Sequence, residues 1–386
     1  MTQYTIRSDH ASVIAIDQHA RSVTMQGVDF TTSEVKTKRL VNCPTAGDIV
    51  EWAATWASPP MRFVYESGPC GFQLARDIRA LGHDCDIIAV SSIARSPEDK
   101  ALKDDRRDAE RLLEQVTSPR SKCKVVWIPD EECEAGRDLC RAYRDVVLSE
   151  KRYKLQLSGF LMRRGHVWNR KSPSGRLLGT WTREYLKWVR SIEFDDEAAN
   201  ETLKLYLVAA TEEIERAKEV EAKCKALARP ERFKPYVDAL TRLKGVEPVT
   251  AITFVVTVGD FERFRNGRSV SAYFGLTPRR SDSGEKTGRN GPITKAGDST
   301  CRHAVIESLA AIPNFNARKK ALKRGQVVSA EVEAEAVKCN ARNRKRYAGL
   351  IEAGCKPNVA KTAVASELVR EMWVLGRMVQ RELAAR

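Results

Sequence analysis

The chain has 386 residues, 42% of them hydrophobic and 30% charged, the make-up of a soluble globular protein of two or three domains. No apolar run approaches a membrane span, and the stretch up to Asp17 lacks the charged-then-apolar layout of a signal peptide. The formal net charge is +15, with about −2 in residues 1–120 and about +17 in residues 121–386, so a near-neutral first part joins a basic remainder suited to a polyanion.

The stretch SVIAIDQHARSVTMQGVDF reads as a strand, a short turn and a second strand, and the apolar run 13–16 ends in Asp17. RFVYESGPCGFQLARDIRALG gives another strand that ends at Glu66, turns through Gly68 and Pro69, and enters a helix stopped at Gly82. DCDIIAVSS is a further strand, and ALKDDRRDAERLL begins another helix. This alternation predicts an α/β domain over residues 1–130. Carboxylates stand at two strand ends, where ligands of open α/β sheets lie.

From 131 to 237 the periodicity turns helical, with two long charged segments that predict a coiled-coil-like arm or oligomer contact. The stretch 151–190 carries about +10 and interleaves Trp168, Trp181, Tyr185 and Trp188 with its cations, which suits nucleic acid. NRKSPSGRLLG at 169–179 interrupts the helices as a basic loop, and this loop and the tail near 340–357 are expected to fold only on nucleic acid. Residues 238–386 read as a second compact, mostly helical domain with a basic helical tail. Within it RLKGVEPVTA suggests a helix-hairpin-helix whose amides meet phosphate, although Glu247 stands where a second glycine is usual.

Ten cysteines are present without a C-x-x-C pair, so reduced thiols of a cytoplasmic protein fit better than a zinc ribbon or a disulfide framework. Cys301 and His303 are a weak ligand pair.

The acids carry the sharper chemistry. Asp105 and Asp108 stand at i,i+3 on one helix face, where like charges repel unless something offsets them. Set beside Asp17 and Glu66, they give the order D…E…D-x-x-D on strand, strand and helix. A ribonuclease-H-like sheet builds a two-metal site this way, with Mg²⁺ ions about 4 Å apart stabilising the attacking and leaving oxygens of phosphoryl transfer.

These residues resemble a known family. AIDQHARSV, YESGPCGF, KDDRRDAERL and VWIPDEE are similar to the N-terminal half of the DEDD transposases of the insertion-sequence one-ten family. RLKGVEPVTA, AYFGLTPRRSDSG and GPITKAGDSTCRHAV resemble that family's C-terminal transposase domain. The resemblance covers about 11–130 and 238–312, and site-specific DNA invertases share it. It implies a RuvC-like (ribonuclease-H fold) catalytic domain, a helical arm, and a C-terminal domain holding a nucleophilic serine. It places the acids on Asp17, Glu66, Asp105 and Asp108, with Asp104 where a neutral residue is usual. It places the serine on Ser283, with Ser281 as the close decoy.

The resemblance further implies Mg²⁺ as cofactor, DNA as substrate, a structured guide RNA of the bridge type, and action as a homodimer or homotetramer. It implies a bacterial cytoplasmic enzyme, nucleoid-associated when acting, with no membrane partner. Arg163, Arg164, Arg170 and Lys171 on the arm, and Arg279, Arg280, Lys286, Arg289 and Lys295 around the serine, are the expected nucleic-acid contacts. A RuvC-like junction nuclease, or an invertase without guide RNA, is the alternative.

Overall fold

The computed structural model describes residues 10–94, 105–280, 290–316 and 319–385, with backbone only for Asp105, Arg280 and Asn290. The apolar run 13–16 becomes the centre of a five-stranded mixed sheet of order β3-β2-β1-β4-β5. Strands β1 (Ser12–Gln18), β2 (Ser22–Asp29) and β3 (Val35–Val41) are antiparallel neighbours. Strands β4 (Met61–Glu66) and β5 (Asp84–Ile88) continue the sheet parallel to β1.

Strand alternation splits the apolar side chains between two cores. Ile14, Ile16, Phe63, Tyr65 and Ile87 pack with Ile49 and Ala53 of α1 (Ala46–Ala54) and with Leu74 and Ile78 of α2 (Gln73–Ala80). Val13, Ala15, Val64 and Ile88 pack with Leu112, Leu113 and Val116 of α3 (Asp105–Thr117) on the opposite face. Strand β3 is mostly exposed; its Leu40 packs against the first of these cores, and its Lys36, Lys38 and Arg39 make a charged edge.

Two compact units result, Met1–Pro129 and Asp130–Arg386. In the second, α4 (Glu131–Arg163) and α6 (Glu197–Leu227) form an antiparallel hairpin. The Cys224 thiol lies 3.9 Å from the Leu139 carbonyl near the base, and the Phe160 and Tyr206 rings lie 6.0 Å apart near the tip. The tip has its own small core, in which α5 (Arg183–Arg190) contributes Tyr185 and Val189 against Leu157, Phe160 and Leu203.

At the base, Cys133, Cys140 and Cys224 enter the main core. That core is completed by α7 (Lys234–Leu240), α8 (Pro248–Val258), α9 (Gly267–Tyr273), α10 (Ser299–Ser308), α11 (Ala330–Glu352) and α12 (Pro357–Ala384). Helix α8 is buried all round from Ala251 to Val258. Its carbonyls at Val256 and Thr257, left over at the helix end, each accept from the buried Arg137 guanidinium at 2.8 Å.

Several expectations change here. The turn between α7 and α8 faces inward. Gly245 has φ +85°, and a Cβ there would lie 1.9 Å from the Ser308 carbonyl oxygen. The Lys244 amide donates to Asn340 Oδ1 (2.7 Å) and the Val246 amide to the Leu243 carbonyl (3.2 Å), so both have partners within the protein rather than an open phosphate seat. The stretch expected to order only on nucleic acid is helical up to Glu352 within α11, because Asn343 and Tyr347 are buried beside α12. Cys301 is buried and His303 exposed, so they are not a shared ligand pair. Among the described residues no helix is long and apolar enough to cross a membrane.

Candidate carboxylate site and nucleic-acid surface

Asp17 and Glu66 follow the parallel pair Ile16–Tyr65 in register, so they stand side by side at the carboxyl ends of β1 and β4. By alternation Asp17 shares the face of Val13 and Ala15, and Glu66 that of Val64, which is the face covered by α3. Both are half-buried. Asp17 Oδ2 lies 3.1 Å from His19 Nε2.

Helix α3 lies on this face because Ala109, Leu112, Leu113 and Val116 recur at helical spacing and are all buried. Asp108 stands one turn before Leu112. Its carboxylate is ion-paired with the Arg111 guanidinium three residues on, which offsets the like charge that its aspartate neighbours would bring. Asp105 is the first residue of the helix, with its side chain outside the described residues; Asp104 lies wholly outside them. Among the described residues no three Asp, Glu, His or Cys side chains converge as a metal-holding group. The structure thus brings Asp17 and Glu66 together and puts α3 on their face.

His19 and Arg111 were missed by sequence reasoning. The signal was available in the spacing. A residue two beyond Asp17 lies on its side of an extended strand, and one three beyond Asp108 lies on its side of a helix.

Ser281, Ser283, Lys286 and Arg289 lie outside the described residues, between β6 (Pro278–Arg280) and β7 (Asn290–Ile293). The base of this hairpin is fixed tightly. Gly275 (φ +64°) would put a Cβ 2.3 Å from the Ala296 amide nitrogen, and Gly297 (φ +67°) would put one 1.9 Å from the Tyr273 carbonyl oxygen. Arg279 and Lys295 are exposed at this base, and the side chain of Arg280 is outside the described residues.

At the arm tip Arg163, Arg164, Arg170 and Lys171 are exposed. The interleaved aromatics are packed together instead of displayed. Trp168 lies 5.5 Å from Tyr185 and 5.3 Å from Trp188, and Trp181 lies 5.5 Å from Tyr185. The Trp168 indole N–H donates to the Leu178 carbonyl (3.0 Å), and a bridge between Lys171 and Leu177 closes the basic loop as a small hairpin. The Arg170 and Arg164 guanidinium groups lie over the Trp168 and Phe160 rings, at 5.6 and 5.7 Å. The aromatics therefore stiffen a platform whose outer surface is cationic.

Comparison with known proteins places the chain. Residues 237–324 match the family described as "Transposase IS116/IS110/IS902 family". "Putative transposase y4qE" of Sinorhizobium fredii is 36% identical over 324 residues, which cover 82% of this chain and 75% of that protein. The transposase for insertion sequence element IS1533 of Leptospira borgpetersenii is 31% identical over 212 residues, covering 54% of this chain and 58% of that protein. The chain belongs to the IS116/IS110/IS902 family of transposases.

Proposed function

We propose that this transposase cuts and rejoins DNA with a divalent-metal carboxylate site in its N-terminal unit and a serine nucleophile, Ser283, in its C-terminal unit. The observation that carries the first half is the adjacency of Asp17 and Glu66 at two parallel strand ends, beneath a helix bearing two further aspartates. It supports a RuvC-like, ribonuclease-H-type reading of the sheet. The donor chemistry fits Mg²⁺: the set is made of carboxylate oxygens, which hard cations prefer. Asp17 and Glu66 would hold the metal from the sheet, and Asp105 and Asp108 from the helix. When bound, the metal supplies charge stabilisation at the attacking and leaving oxygens of phosphoryl transfer.

The chain's own residues do the rest. His19 orients the Asp17 carboxylate, and Arg111 orients that of Asp108. The Ser283 hydroxyl oxygen bonds to a DNA phosphorus, and the displaced sugar oxygen leaves as a hydroxyl after taking up the proton. A hydroxyl from another strand reverses the step and restores the serine. Because strands of two duplexes must be exchanged, the enzyme works as a homodimer or homotetramer. A structured guide RNA encoded beside the gene chooses the sites, and the basic surfaces at the arm tip and around β6 and β7 hold these nucleic acids by their backbones.

The test is a denaturing gel of the full chain incubated with its flanking DNA, co-purified RNA and Mg²⁺. Wild type should form a covalent protein–DNA adduct. Ser283→Ala should lose the adduct, and Asp17→Asn or Glu66→Gln should lose all cleavage while keeping wild-type thermal unfolding. Cleavage to free ends that survives in Ser283→Ala would replace this reading with a RuvC-like nuclease, and recombination without any bound RNA would replace guidance with protein-read sites.

A further inference from the structure

A cavity of about 300 Å³ opens between α11 and the segments around Lys244 and Asn316, within the C-terminal unit. Lys244, Lys319, Arg344 and Lys345 line it with positive charge. Val337, Ala341 and Ala348 give it an aliphatic floor. Two of the cations have partners: Lys319 lies 3.4 Å from Glu333, and the Lys244 ammonium donates to Asn316 Oδ1 at 2.7 Å. Arg344 and Lys345 have no carboxylate partner among the described residues. The contrast lies on the same helix, where Arg342 pairs with Glu371 at 3.2 Å and Arg346 with Glu367 at 3.3 Å. One face of α11 is thus neutralised and the other holds cations around a hollow. Partial burial, and then the neighbouring Arg344, hold the Lys244 ammonium below the usual lysine range, and an anion in the cavity would offset the repulsion between these two cations.

The cavity's size sits at the lower end of small-molecule sites, roughly 300–1,000 Å³, and a phosphate alone would leave the aliphatic floor untouched. The side chain of Asn340 is already used: it accepts from the Lys244 amide (2.7 Å) and donates to the Arg242 carbonyl (3.1 Å). The floor therefore offers apolar contact without a pattern of donors and acceptors to read a base.

We propose that this cavity seats one unpaired nucleotide of a nucleic-acid strand, with its phosphate on Arg344, Lys345 and Lys244 and its base on the floor formed by Val337, Ala341 and Ala348. The proposal rests on the transposase reading above and adds a site for single-stranded substrate that is indifferent to sequence. A base-paired nucleotide does not fit it, because its base face is covered by the stack.

The experiment is a binding titration of the full chain with a labelled oligothymidylate and with a blunt duplex, across a range of salt. The double variant Arg344→Ala/Lys345→Ala should bind the single strand about tenfold more weakly, with a salt slope shallower by about 0.7 for each phosphate no longer neutralised. Ala341→Trp, which fills the hollow at unchanged charge, should weaken the single strand comparably and leave duplex binding within about twofold. Equal losses on strand and duplex, or unchanged strand binding by Ala341→Trp, would overturn the pocket. Thymidine monophosphate binding as tightly as the strand would overturn it in favour of a free nucleotide. A wild-type chain that binds neither nucleic acid would sink the proposed cutting and rejoining of DNA, which separates that failure from failure of the pocket alone.

Discussion

Arg137, Arg242 and Glu371 are buried as deeply as the leucines around them. The two arginines are matched. Arg242 meets the Glu333 carboxylate at 2.5 and 2.9 Å and donates to the Ala321 carbonyl at 3.0 Å, while Arg137 spends its guanidinium on helix-end carbonyls. Glu371 is matched less completely. Asn343 donates to it at 2.5 Å, but its ionic partner Arg342 is 55% exposed. Burial therefore wins and pushes the Glu371 carboxyl up to about 7. The sign follows directly. A carboxyl that holds its proton longer when folded contributes stability that is complete below its unfolded value near 4.5 and lost as pH rises through about 7. Urea denaturation should show wild type losing on the order of 2 kcal/mol relative to Glu371→Gln between pH 5 and 7.5. Parallel stability curves for the two proteins would show that Glu371 ionises as it would in water.

At the scale of elements, α3 both closes a core and carries acids. Leu112→Ala should cost about 2–5 kcal/mol, because Leu112 is buried in one cluster with Ala15, Val64 and Ile88 and its removal leaves a cavity there. If α3 positions Asp108 over Asp17 and Glu66, DNA cleavage by this variant should fall at temperatures where circular dichroism still reports a folded chain; full cleavage under those conditions would detach the helix from the chemistry. Helix α3 was legible because it buries one face at a helical period behind its aspartates, and β1 and β4 because each is a short apolar run, buried on both faces, that leads up to a carboxylate. Strand β3 was not legible, since its Lys, Thr and Arg residues are exposed and only pairing with β2 and the half-buried Leu40 hold it. The short α5 was hidden in a stretch read for its charge. Its aromatics looked like a stacking surface for bases, whereas packing against Leu157 and Phe160 uses those rings as core. Buried arginines escape any reading that assigns charge to solvent. For the candidate site, adjacency of Asp17 and Glu66 could be expected from strand ends, and the contacts of His19 with Asp17 and of Arg111 with Asp108 from their i,i+2 and i,i+3 spacing.

The whole molecule divides its labour by charge. The first unit sums to about 0 and the second to about +15, so attraction to a polyanion should come from the second unit and cleavage from the first. Binding and cutting should then separate cleanly. Asp17→Asn with Glu66→Gln removes two negative charges at the proposed metal site and should abolish cleavage without weakening DNA binding. Reversing Arg163, Arg164, Arg170 and Lys171 to glutamate should do the opposite to affinity: each exposed cation that meets a phosphate releases a counterion, so the slope of log K against log salt on duplex DNA should become shallower by up to about 3 to 4. The buried side chains of the arm-tip core are kept and only the cation–π contacts of Arg164 and Arg170 are lost, about 0.5–1 kcal/mol each, so the chain should stay folded with a small fall in its thermal unfolding temperature. An unchanged salt slope in the reversed variant would move the DNA-holding surface away from the arm, to the cations around β6 and β7.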